Sequence, residues 1–115
     1  MGKKEIHMAQ DYVILDDQNT NGMIAVNKSV FKAIAEISID EIEDAIQIPN
    51  SRFTKPLSIK IENNRLNVEA DVRLKYGSNV EQTCELVQNR IYENILFMTG
   101  FKANEVTVNV SGFEN

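Results

Sequence analysis

The chain reads as one α+β domain in the order β-α-β-β-α-β, with two helices packed on one face of an antiparallel-rich sheet. Three observations predict this. First, Leu57, Ile59 and Ile61, then Leu66, Val68, Ala70, Val72, Leu74 and Tyr76, alternate with polar or charged residues. That period marks strands with one dry face and one wet face. Second, two stretches, 27–40 and 79–99, repeat their apolar residues at helical rather than strand spacing. Third, Val106-Thr107-Val108-Asn109-Val110 alternates again near the end. A length of 115 residues suits a single core.

Residues 1–21 read as a flexible N-terminal segment, and 22–115 as the folded domain. The first ten residues are expected to be mobile. Val13-Ile14-Leu15 is a candidate edge strand, and 16–22 is a dense loop signal of Asp, Asn and Gly. Met23-Ile24-Ala25-Val26 reads as a short strand, and Asn27 as a helix N-cap. Val30, Ile34 and Ile37 then mark the apolar face, with Phe31 and Ser38 beside them. Lys28, Lys32, Glu36 and Asp40 lie opposite. Glu41 breaks the stripe, so the helix is expected to end near Ile39 or Asp40. Continuation to Ala45 is the alternative. Ile42, Ile46 and Ile48 recur at even spacing, as in a short extended segment.

Pro49 to Pro56 is a loop, made basic by Arg52 and Lys55 and carrying Phe53 in polar company. The hairpin follows, turning at Asn63-Asn64, where a two-residue loop needs positive φ. Ser78 with Glu81 has the capping-box spacing, which starts the second helix at about Asn79. Val80, Cys84, Val87, Ile91, Ile95 and Met98 form its stripe, and Gly100 is its expected cap. Gly112 is expected to end the final strand.

The net charge of −5 argues against general binding to a phosphate backbone. The wet face also lacks the aromatic platforms that single-stranded nucleic acid requires. No apolar run approaches the ~18 residues of a membrane span, so no direct membrane insertion is expected. No secretory h-region follows the N-terminus, and the expected location is cytoplasmic. The lone cysteine, Cys84, excludes an intrachain disulfide and a thiolate zinc cluster, and reads as a small core hydrophobe. His7 lies in the N-terminal segment, poorly placed for catalysis. Glu36, Asp40, Glu41, Glu43 and Asp44 read as a solvated helix end. The glycines are isolated, so no loop cradles a phosphate. The expectation is a protein that is not an enzyme, with no metal and no cofactor.

Its surface is what remains to be used. Ser58, Lys60, Asn67, Glu69, Asp71, Arg73, Lys75, Thr107 and Asn109 fall on the wet sheet face. Leu86 and Phe97 lie off the buried stripe of the second helix, and Tyr92 with Leu96 lies off it on the other side. The candidate partner surface is Lys60, Glu69, Asp71, Arg73, Lys75, Leu86 and Phe97. Edge strands offer a further opening for strand addition.

Four pieces together resemble the alkaline shock protein family of bacterial envelope stress-response proteins. They are Gly22-Met23-Ile24-Ala25-Val26-Asn27-Lys28-Ser29-Val30 leading into Ile34-Ala35, then Val72-Arg73-Leu74-Lys75-Tyr76-Gly77, then Met98-Thr99-Gly100-Phe101, and last Val106 to Phe113. Two departures stand out. The family usually places a glycine after the first helix, near Asp44 here. Its glycine-rich loop before the hairpin is replaced by Asn50 to Pro56. The resemblance implies a non-enzymatic role in cell-envelope homeostasis at the cytoplasmic side of the membrane in Gram-positive bacteria. It implies protein partners: a membrane anchor protein, or a second copy in self-assembly. Short members of the family imply an alternative role, a regulator that restrains acetyl-CoA carboxylase in fatty-acid synthesis.

Overall fold

The computed structural model describes residues 10–15 and 22–115. The elements run β1 (Tyr12–Leu15), β2 (Ile24–Asn27), α1 (Lys28–Asp40), β3 (Ala45–Gln47), β4 (Leu57–Glu62), β5 (Arg65–Lys75), α2 (Val80–Thr99) and β6 (Glu105–Glu114). The expected mobility of the first ten residues falls almost wholly outside the described residues, and so does His7.

The hairpin is as the alternation demands. Asn63 and Asn64 both take positive φ, 51° and 58°, and β4 pairs antiparallel with residues 65–70 of β5. The even-spaced segment after α1 is extended too: β3 pairs antiparallel with residues 72–74 of the same strand. β4 and β3 therefore divide one edge of β5. β6 takes the other edge and runs parallel to it from Asn67 to Lys75. A parallel neighbour needs a crossover connection, and α2 supplies it. β1 and β2 form a separate antiparallel ribbon. It joins the sheet through an isolated bridge between Gln10 and Ile61. The Asn64 side chain clamps this ribbon: its Oδ1 accepts from the Ile14 amide at 2.8 Å, and its Nδ2 donates to the Ile14 carbonyl at 3.1 Å. Val13 is fully buried, so residues 10–15 belong to the core as well as to the N-terminal segment.

Both helices cover the dry face of β5, where Leu66, Val68, Ala70, Val72 and Leu74 are all sealed from solvent. The buried face of α1 differs from the sequence expectation. Phe31, Ile34, Ala35, Ser38 and Ile39 are buried, whereas Val30 and Ile37 are 41% and 49% exposed. The expected stripe is centred about a third of a turn away, on Val30 and Ile37, and Ser38, a polar residue, sits at the middle of the true interface. Its Oγ donates to the Ile34 carbonyl at 2.7 Å and accepts from Asn94 Nδ2 at 2.9 Å. In α2 the stripe has the right angle, but its ends overhang the sheet. Val87, Ile91 and Ile95 are buried, while Val80 and Met98 are largely exposed and Thr83 takes a core position instead.

The helix ends also refine the expectation. Asn27 caps α1, accepting from the Ser29 amide at 3.1 Å. Asn79, not Ser78, caps α2, accepting from the Gln82 amide at 3.0 Å. Ser78 donates instead to the Lys75 carbonyl at 2.7 Å, closing the turn that leaves β5. Gly100 has φ 77°, the left-handed cap its position called for. α1 ends at Asp40 with its following residue, Glu41, still right-handed. The turn there is built from Ile42 N–H to Ile39 O and Ala45 N–H to Ile42 O, each 3.1 Å. No positive φ is involved, so the absent glycine costs nothing. β6 runs past Gly112 rather than stopping there. Its register shifts opposite Val72/Arg73, so that Val110 faces Val72 and Gly112 faces Arg73. Ser111 is the extra residue of a bulge.

Truncating Leu74 to alanine is expected to cost about 2–5 kcal/mol, the usual range for a sealed leucine. Ile37→Ala should cost under about 1 kcal/mol, because its side chain is half in water. Urea unfolding of both variants checks this, and equal losses would contradict the helix orientation described.

Candidate functional site

The residues singled out as a partner surface occupy two separate faces. Lys60, Glu69, Asp71, Arg73 and Lys75 lie on the wet side of the sheet, because strand alternation sends them opposite to the dry face. Leu86 and Phe97 lie on α2, beyond the other side of the sheet. No single partner patch of ordinary flatness joins them.

On the wet face, cross-strand neighbours tie the row together. Arg73 Nη1 meets Glu114 Oε1 at 3.0 Å, and Asn109 Nδ2 donates to Asp71 Oδ1 at 3.0 Å. Asn104 Nδ2 donates to Asn67 Oδ1 at 2.9 Å. Lys60 and Glu69 flank a shallow depression of about 190 Å³ between β4, β5 and β6. Glu114 was missed in sequence because it lies beyond Gly112, and only the bulge at Ser111 turns it to this face. The arrangement is a mixed-charge polar surface that can complement a polar partner. Asp71 stands beside an amide and Glu114 beside a guanidinium.

On α2, Leu86 is 51% exposed and Phe97 87% exposed. Tyr92, by contrast, packs against the core, and Leu96 is half-buried. The four off-stripe residues therefore separate into two that serve the fold and two that face water. Phe53, in the loop before β4, is 92% exposed, with the Arg52 guanidinium 6.0 Å above its ring.

Of the acidic stretch at the end of α1, Asp40, Glu41, Glu43 and Asp44 are exposed, as a solvated helix end should be, and Glu41 also reaches α2. Glu41 Oε1 accepts from Asn94 Nδ2 at 2.7 Å, and Glu41 Oε2 lies 3.5 Å from Arg90 Nη1. Cys84 is half-buried against the core, and burial raises its thiol pKa above the ordinary 9.0. The thiol is thereby less reactive than a free one.

The domain is α+β, with a dry sheet face under two helices, a polar open face and scattered outward apolar residues. The sequence profile of the alkaline shock protein 23 family, described as having a cell envelope-related function, matches residues 16–115, and the chain belongs to that family. No curated protein and no solved structure matches the chain. No helix among the described residues is long and apolar enough to cross a membrane.

Replacing Arg73 with glutamine should change stability by less than about 1 kcal/mol, because both partners of its ion pair are exposed. A thermal melt checks it, and a larger loss would mean that the pair is structural. Cys84 sets a second expectation. The folded state holds the thiol proton more tightly, so the unfolded chain loses it first as pH rises. Stability contributed by the neutral thiol is therefore lost as pH climbs past the ordinary thiol value of 9.0. The difference in stability between wild type and Cys84→Ser should shrink over that range, and a difference independent of pH would count against burial as the cause.

Proposed function

We propose that this protein serves cell-envelope homeostasis without catalysing a reaction, by contacting protein partners at the cytoplasmic side of the membrane. Membership of the envelope-related family supports the setting. The observation that carries the contact is the outward line of α2. Leu86 and Phe97 are eleven residues apart, which at 100° per residue returns them to within about 20° of one line, about 16 Å apart. Arg90 and Glu93 stand between them on the same side. An apolar pair with Glu93 between, and with Arg90 held to Glu41, suits an amphipathic segment of a membrane-held partner, which would bury both apolar side chains. Among the described residues Phe97 makes no ring contact, unlike Phe31 and Phe113, which each pair with another ring. Its exposure therefore has no explanation in the packing of the domain.

The test is a fluorescent fusion in the native bacterium, comparing wild type with the Leu86→Ala/Phe97→Ala double variant. Wild type should line the cell periphery and the variant should spread through the cell, with thermal midpoints within a few degrees of each other, as for exposed positions. A diffuse wild type would overturn the envelope setting. Equal peripheral signal from both would overturn the role of α2.

A further inference from the structure

A second opening in the surface lies beside the ribbon, where the start of α1 approaches β4. A cavity of about 680 Å³ lies there, and three lysines line it: Lys28 and Lys32 from α1, and Lys55 from the loop before β4. Its floor is apolar, formed by Leu57 and Ile59, and its one carboxylate is that of Asp11.

Several features of this cavity favour an anion. The chain carries a net charge of −5, yet these three ammonium groups share one recess. None of them makes an ion pair among the described residues. Lys28 and Lys32 are also spaced i,i+4, so like charges adjoin on the helix surface. The first turn of α1 holds no acid, although that is where the helix dipole favours one. A negatively charged ligand would relieve both costs.

The helix end itself is not the binding element. The Lys28 amide already donates to the Asp11 carbonyl at 2.7 Å, and the Ser29 amide donates to Asn27 Oδ1. The donors on offer are the lysine side chains and the outer edge of β4. Along that edge Ile61 accepts from Gln10, so by strand alternation the backbone groups of Ile59 and Leu57 turn the same way, toward the recess.

We infer that this recess binds a phosphate-bearing ligand, its oxyanion held by Lys28, Lys32 and Lys55 and its apolar part laid on Leu57 and Ile59. Lysines act as point charges toward phosphate, and three of them suit a doubly charged phosphomonoester or a diphosphate better than a carboxylate. The same chemistry is offered by a soluble phosphorylated metabolite and by the headgroup of an acidic phospholipid. The inference is independent of the α2 contact surface, with which it shares no residue.

The experiment uses the full chain, as wild type, as Lys32→Gln/Lys55→Gln, and as Lys102→Gln, an exposed lysine outside the recess. Each is titrated with inorganic pyrophosphate by amide NMR. Each is also sedimented with phosphatidylcholine vesicles made with or without phosphatidic acid. For wild type and Lys102→Gln, saturable shifts are expected at residues 28–32 and 55–59, or binding to the acidic vesicles alone. The double variant should bind at least about tenfold more weakly in whichever arm responds, with a thermal midpoint no lower than that of wild type. Binding should weaken as added salt shortens the screening length. Response to pyrophosphate points to a soluble ligand, and response to acidic vesicles only points to a lipid headgroup. No response in either arm, or equal binding by the double variant, overturns the site.

Discussion

Along β5, five alternate side chains from Leu66 to Leu74 are sealed from water while both backbone edges are held by neighbouring strands. Everything else in the domain is arranged to satisfy those two demands. One edge is met by β4 and β3 in turn, because neither is long enough to pair with all eleven residues. The other is met by β6, which must run parallel and so must be reached by a crossover. The dry side chains need a roof, and α1 and α2 supply it. Apolar burial of this extent is the main favourable term in a domain of this size.

Polar side chains then fix where the roof sits. Gln47 Nε2 donates to the Glu36 carbonyl at 2.8 Å and Gln88 Nε2 to the Val106 carbonyl at 2.6 Å. Asn94 reaches both Ser38 and Glu41 on α1. Apolar contact is non-directional and would tolerate a helix sliding or rolling on the sheet. These amides accept far less variation, because a hydrogen bond is directional and a misplaced donor loses its partner. Asn64 does the same for the β1–β2 ribbon, spending its positive φ on the turn and its side chain on Ile14.

Much of this was legible in the residues. Strict alternation identified both strands of the hairpin, and Asn63-Asn64 identified its turn. Asn27 and Gly100 marked helix ends through their local chemistry. The rotation of α1 was not legible, because Val30, Ile34 and Ile37 make an apolar line as plausible as Phe31, Ala35 and Ile39, and only the neighbouring elements decide which is buried. The exposure of Val80 and Met98 was not legible either, since helical period gives an angle and not the length over which a neighbour extends. Of the wet-face residues, the sequence placed Lys60, Glu69, Asp71, Arg73 and Lys75 together by period alone. The same reading put both helices on the dry side, which already sets Leu86 and Phe97 on a different side of the domain.

The sequence by itself determined the element types, the dry and wet faces of each strand, and the four motifs that resemble the alkaline shock proteins. These follow from backbone geometry, which repeats every two or 3.6 residues whatever surrounds it. Tertiary structure alone decided that Lys28, Lys32 and Lys55 share one recess, that Glu114 turns to meet Arg73, and that Ser111 bulges to let it. Such pairings join residues far apart in the chain, and no local period records which distant strand or helix will close over them.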